Sequence, residues 1–246
     1  MKSYIKNCDM CDGIKNIPDN SIQLIIADLP YGTTEIDWDV RINMDTLWNE
    51  WWRILKNNGS IILYGVQPFT SYLINSQLEY FKYSLVWKKS RVGGFAQAPY
   101  RILNQHEDLI IFSKAGMTNN SKNKILYNPQ GVLECNKTMK GKGSNSLRAN
   151  RKIQSDYIQK YTNYPKSILE FGNKGKIIHP TQKPIELNEF LIKSFSNETD
   201  FIFDPCFGSG STIIAAINTN RKFIGFEKDE SYYELFNTKL NIYKYV

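Results

Sequence analysis

The chain has 246 residues, 41% of them hydrophobic, and a net charge of +7. That is enough for one substantial core and excludes a purely disordered or fibrous protein. Its apolar runs are only a few residues long, well short of the roughly 20 that a membrane helix needs, and residues 1–5 lack the apolar segment of a secretory signal, so a cytoplasmic protein with no membrane association is expected. Four cysteines do not make a disulfide framework. Cys8 and Cys11 have C-x-x-C spacing but no second pair, and His106 and His179 are the only histidines, so no metal is expected.

In chain order, short apolar runs at 3–7, 22–27, 60–65, 83–88, 108–113, 201–203 and 222–226 read as buried strands. Helical patterns lie between several of them. One covers 44–56, with Leu47, Trp51, Ile54 and Leu55 on one face and Asn58-Gly59 as its stop. Another opens at Pro68 and runs through Leu78. Two more span 185–195 and 211–219. Strands alternating with helices imply an α/β fold, a mostly parallel sheet covered on both faces.

Residues 115–165 break this rhythm, being rich in Lys, Asn, Ser and Gly, and read as a loop-rich insertion with little core of its own. Over 114–176 there are 13 Lys and Arg against Glu134, Asp156 and Glu170, a balance of +10 that leaves −3 for the remainder. On charge alone this block is equally a footprint for a polyanion and a solvated loop.

Two segments carry chemistry, and each follows an apolar run, at the strand end where open α/β sheets place ligands. In Asp204-Pro205-Cys206-Phe207-Gly208-Ser209-Gly210-Ser211-Thr212, the glycines permit close backbone approach and the following helix start offers free N–H groups. No Lys follows Gly210, which excludes a Walker P-loop, and a dinucleotide fingerprint lacks its third glycine. Glu227 ends the next strand, where a carboxylate can accept both hydroxyls of a ribose. The pair indicates a nucleoside-containing cofactor in preference to a structural turn. In Asp28-Leu29-Pro30-Tyr31, a carboxylate, a carbonyl and an aromatic face suit an amino-bearing ring. Acceptors aimed at its N–H bonds localise the nitrogen lone pair and stabilise the charge that grows there during attack. By itself the segment reads first as an ordinary Pro-Tyr-Gly turn.

Asp28-Leu29-Pro30-Tyr31 resembles the D-P-P-Y motif of DNA amino-methyltransferases, and 204–210 resembles their S-adenosylmethionine loop. His179-Pro180-Thr181-Gln182-Lys183-Pro184 matches the segment that precedes that loop in the β class, where the catalytic motif comes first. Gln67-Pro68-Phe69-Thr70-Ser71, Gln105-His106-Glu107 and Tyr127-Asn128-Pro129-Gln130 extend the likeness over nearly the whole chain outside the insertion. The resemblance implies a circularly permuted, Rossmann-like methyltransferase sheet of seven strands. It divides the chain into a catalytic half at 1–114, a basic target-recognition insertion at 115–165 and a cofactor half at 166–246.

What the family does then gives each residue an expected role. Asp28 accepts from the target amino group with the carbonyl of Leu29 beside it, Pro30 shapes the turn, and Tyr31 stacks on a flipped base. S-adenosylmethionine is expected against Gly208, Ser209 and Gly210, with Asp204, Pro205, Phe207 and Thr212 completing the loop. Glu227 is expected at its ribose, Asp9 near its adenine or ribose, Thr181 and Lys183 toward its carboxylate, and Asp28 and His179 among its other contacts. Lys137, Lys140, Lys142, Arg148, Arg151 and Lys152 become candidate contacts to double-stranded DNA. The implied activity is direct methyl transfer to adenine N6, since Asp heads the motif and members acting on cytosine N4 more often begin it with Ser. Cytosine N4 is the alternative. An inactive DNA-binding protein of the same fold is a second, motivated by Leu29 in place of proline and by Cys206 where the family has Phe. A homodimer and a cognate restriction endonuclease are further partners of such enzymes.

Overall fold

A computed structural model describes residues 1–30, 44–140, 156–172 and 182–243. Two compact units emerge, Met1–Asn128 with Ser167–Val246, and Pro129–Lys166. In the larger unit β1 (Tyr4–Asn7) leads through a single helical turn, α1 (Met10–Gly13), to β2 (Ile22–Ala27). Next come α2 (Met44–Ile54), β3 (Leu55–Gly65), α3 (Phe69–Ser76), β4 (Phe81–Lys88) and β5 (His106–Phe112). The smaller unit contributes β6 (Leu133–Met139) and β7 (Tyr157–Thr162). The chain then forms β8 (Ile168–Glu170), α4 (Ile185–Phe195), β9 (Phe201–Asp204), α5 (Ser211–Asn218), β10 (Lys222–Glu227) and α6 (Glu230–Tyr243).

The larger unit is built on one eight-stranded sheet in the order β1-β10-β9-β2-β3-β5-β4-β8, in which β5 alone runs antiparallel to its neighbours. The α/β fold with a mostly parallel sheet is as expected. The strand number is eight rather than seven because Ile168–Glu170 pairs in parallel with Val86, Trp87 and Lys88 at the edge.

Alternation along β2 shows why the sheet is covered twice. Ile25 and Ala27 pack on one face with Leu47, Trp48, Trp51 and Ile54 of α2 and with Phe69 and Leu73 of α3. Leu24 and Ile26 pack on the other with Leu187 and Leu191 of α4, Ile213 and Ile214 of α5, and Phe236 and Leu240 of α6. A strand buried on both faces has no polar side, which is why β2 reads as a continuous apolar run.

The Asn58-Gly59 stop is a correction. The helix ends at Ile54 and the chain enters β3 directly, with Asn58 and Gly59 inside the strand, where the pairing slips between Ile22–Leu55 and Leu24–Ser60. A Cβ on Gly59 would lie 2.8 Å from the Gln23 carbonyl oxygen and 2.9 Å from the Leu55 side chain. The glycine answers a close backbone approach, not a helix end.

Residues 115–128 belong to the larger unit. Ala115 is fully buried, Leu126 N–H donates to the Asn58 carbonyl, and Asn128 N–H donates to the Ser194 carbonyl at 2.7 Å. In the smaller unit β6 and β7 form an antiparallel pair, Leu133 opposite Thr162 and Met139 opposite Tyr157. Its side chains are exposed on both faces, so it lacks the alternation by which a half-buried hairpin announces itself. No helix among the described residues is long and apolar enough to cross a membrane.

Candidate active site at the carboxyl edge of the sheet

Parallel register brings the carboxyl ends of β1, β10, β9 and β2 side by side. Asn7 lies opposite Glu227, Gly225 opposite Asp204, and Phe203 opposite Ile25, two residues before the end of β2. Four carboxylates separated by up to 218 positions in sequence therefore line one edge: Asp9, Glu227, Asp204 and Asp28. Such an edge favours a cationic group and gives acceptors to hydroxyls and amines.

The loop after β9 is braced by its own acids. Asp204 accepts from the Cys206 N–H at 3.1 Å, and Glu227 accepts from the Gly208 N–H and the Asp229 N–H, both at 2.9 Å. Burial, with Glu227 and Asp28 adding to it against the hydrogen bonds of Thr212 and Cys206, pushes the Asp204 carboxyl up to about 7. Burial also raises Glu227 above the usual carboxylate range, and the N–H groups of Asp229 and Gly208 only partly offset it.

Gly208 and Gly210 have φ of +47° and +74°. A Cβ on Gly210 would sit 2.0 Å from the ring of Phe236, so this glycine is required both by left-handed backbone and by the approach of α6. Pro205 is buried and Ser209 is half-buried. Phe207 turns its ring into the core, 5.1 Å from Phe236 and 6.4 Å from Tyr233, so it leaves only backbone to the loop. Thr212 is likewise buried, bonded to Asp204 and within 3.4 Å of Asn188 Nδ2. Cys206 takes the inward place and donates from Sγ to the Asp28 carbonyl at 3.3 Å, which ties the two motifs together.

Asp28 is held from the other side by Lys183. The ammonium lies 2.9 Å from Asp28 Oδ2 and 2.9 Å from Glu107 Oε2, and sits over the rings of Tyr64 at 4.9 Å and Trp87 at 5.9 Å. With 7% of its surface exposed, Lys183 is buried. Burial pulls its pKa down, but Asp28 and Glu107 more than reverse this, and the net direction is up. Glu107 follows the same balance in mirror image: burial pulls it up, and Lys183 with Lys89, 3.2 Å away, brings it below its ordinary range. Tyr64 completes the floor, its hydroxyl donating to Asn188 Oδ1 at 2.8 Å while Asn188 donates to Ser211.

Glu107 is the residue that the site adds beyond the reading from sequence. Its partner Lys183 is 76 positions away, and the one signal was its place in Gln105-His106-Glu107. Asp9 caps α1, accepting from Cys11 N–H at 2.9 Å, and pairs with Lys228 at 3.2 Å. Leu29 is buried and Pro30 half-buried beside Asp28. Tyr31, His179 and Thr181 lie outside the described residues, as do Lys142, Arg148, Arg151 and Lys152. Lys137 lies in β6 and Lys140 just after it, in the smaller unit, both exposed on a hairpin that carries no acid besides Glu134 and Asp156 among the described residues. Among the described residues, no group of three or more His, Cys, Asp or Glu is placed to hold a metal ion.

A doubly covered sheet with a glycine-rich loop and a second motif at neighbouring strand ends defines a nucleotide-cofactor α/β enzyme class. Residues 22–238 match the family described as DNA methylase, the N6/N4 methyltransferases, and the chain belongs to that family. It is similar to the type II methyltransferase M.HpaI of Haemophilus parainfluenzae, 26% identical over 247 residues that cover 93% of this chain and 71% of the relative. In fold it is similar to M1.HpyAVI in its complex with SAM, with a TM-score of 0.64, 20% identity, and coverage of 97% of this chain and 100% of that one. It is also similar to the PvuII DNA methyltransferase, described as cytosine-N4-specific, with a TM-score of 0.65, 15% identity, and coverage of 94% and 84%.

Proposed function

We propose that this chain transfers the methyl group of S-adenosylmethionine to N6 of adenine in double-stranded DNA, by direct in-line attack after the base has left the helix. The observation that carries the reading is the position of Asp28. It follows the central strand β2 next to the loop after β9, with its carbonyl bonded to Cys206 and its carboxylate clamped by Lys183.

The cofactor supplies an electrophilic methyl group on a sulfonium, and the fit rests on the chemistry of the edge. Glu227 takes the ribose hydroxyls and Asp9 lies beside it, while Gly208 and Gly210 let the backbone come close to the methionine part. Asp204 and Thr212 hold the loop in shape from beneath, and the carboxylates suit the positive sulfur.

At the base, Asp28 and the Leu29 carbonyl accept the two amino N–H bonds, restoring the nitrogen lone pair, and Tyr31 stacks on the ring. Lys183 fixes the Asp28 carboxylate by one oxygen. A lone ammonium here would oppose the positive charge growing on nitrogen, and Glu107 on its far side cancels that opposition. In this reading Lys183 serves Asp28 first, and Thr181 remains the candidate for the cofactor carboxylate. The halves 1–114 and 166–246 act as catalytic and cofactor halves, and 115–165 reads the target.

Adenine is favoured because Asp, not Ser, heads the motif. The likeness to a cytosine-N4-specific enzyme bears on fold alone at its level of identity. Paired substitutions test the assignment. Asp28→Ala should abolish methyl transfer and leave cofactor affinity in calorimetry within about twofold, because an interaction made only in the transition state costs turnover and not binding. Glu227→Ala should weaken cofactor binding at least roughly tenfold, the loss of a charge-assisted hydrogen bond of about 1.5 to 3 kcal/mol. Full turnover in the first variant, or unchanged affinity in the second, contradicts these roles.

A further inference from the structure

The connection between β4 and β5, residues 89–105, springs from the same edge as Asp28, and beyond Lys89 it has no part in the site above. Its root is fixed by the Lys88–His106 pairing, by Lys89 N–H donating to the Gln105 carbonyl at 2.8 Å and by Gln105 Nε2 donating back to the Lys89 carbonyl at 3.3 Å. Lys89 also reaches Glu107, so the root is joined through Lys183 to Asp28. A cleft of about 390 Å³ opens at this root between residues 65–67 and 101–106.

Beyond the root the composition is unusual for a surface turn. Phe95, Tyr100 and Ile102 are 71%, 88% and 94% exposed, within eight positions of one another. The segment carries Arg91 and Arg101 and no acid between Ser90 and Gln105, and neither arginine is paired with a carboxylate among the described residues. Large apolar side chains held in water mark a contact surface. Arginines beside them, with no carboxylate partner, match a polyanion with stacked apolar rings inside it.

We infer that residues 91–102 are a second DNA-contact surface, in which Arg91 and Arg101 bind phosphates and Phe95, Tyr100 and Ile102 wedge into the stack beside the target base. The inference rests on the DNA methyl-transfer reading and adds the element that helps open the duplex. Apolar wedges of this kind stabilise an unstacked step that otherwise costs free energy. The loop sits beyond β3 from Asp28, on the side of the sheet order away from the cofactor loop.

Two measurements on the whole chain test it. Binding to mixed-sequence duplex DNA as a function of salt should give a flatter log-log slope in the Arg91→Gln, Arg101→Gln double variant, by roughly 0.9 for each phosphate that is no longer neutralised. This arm needs no turnover, so it stands even if the methyl-transfer reading fails through absence of any label in DNA from the unaltered protein. The triple variant Phe95→Ser, Tyr100→Ser, Ile102→Ser should transfer methyl groups to native genomic DNA at least roughly tenfold more slowly, but to heat-denatured DNA with less than about threefold loss, since single strands need no opening. An unchanged salt slope, or equal losses on native and denatured DNA, overturns the inference. So does a triple variant with full activity that sediments as a smaller species, which would give the patch to a second copy of the chain.

Discussion

Asp204 is the acid in the row least suited to being charged. Its folded pKa of about 7 lies above the ordinary value of 3.8 because burial outweighs the bonds from Thr212 and Cys206. The folded state therefore holds a proton there that the unfolded chain gives up. That contribution is complete below about pH 4 and is lost as pH rises through about 7. Asp204→Asn keeps an acceptor for both bonds without a charge. Its melting temperature should match the parent at pH 4 and exceed it at pH 8, by roughly 2 to 4 °C for each kcal/mol of relief in a chain of this length. Equal differences at both pH values would show that the carboxyl ionises freely. Asp28, Asp204 and Glu227 could all be picked out in the sequence, because each closes a short apolar run and a parallel strand displays its last residue at the ligand edge. Glu107 could not, because its value lies in a lysine from a distant segment and β5 runs the other way.

At the scale of elements, the loop and helix after β9 depend on how α6 packs. The Phe236 ring fills the space that a Cβ on Gly210 would need, and Gly210 holds φ +74°. Gly210→Ala should lower the melting temperature by roughly 2 to 8 °C, from about 1 to 2 kcal/mol of left-handed strain and more if the ring cannot yield. Cofactor affinity should fall with it. A variant as stable as the parent would mean that the turn relaxes freely. The strands of this half are plain in the sequence, and so are α4 and α5, since their apolar spacing is dense. Helix α6 is not, although Tyr233, Phe236 and Leu240 follow helical spacing, because polar residues dominate its outer face. Hairpin β6–β7 is still less visible, having no buried face to impose alternation.

At the scale of the molecule, charge and fold are separated. The surplus of +10 lies within 114–176, and the remainder of the chain is slightly acidic, in keeping with its carboxylate edge. If 115–165 reads the target, deleting 136–152 should abolish site-specific DNA binding and leave cofactor affinity within about twofold. Lys137→Gln should flatten the salt dependence of binding by about one unit and weaken all sequences alike if it meets a phosphate. Site-specific methylation by the deletion variant would place recognition elsewhere.

Methyl transfer from S-adenosylmethionine to adenine N6 at Asp28 is tested by incubating the chain with tritiated S-adenosylmethionine and mixed-sequence genomic DNA, then digesting the product to nucleosides and separating them. Label should appear in N6-methyladenine, and none there with Asp28→Ala. Label in N4-methylcytosine, or tight DNA binding with no label in any nucleoside, would contradict it.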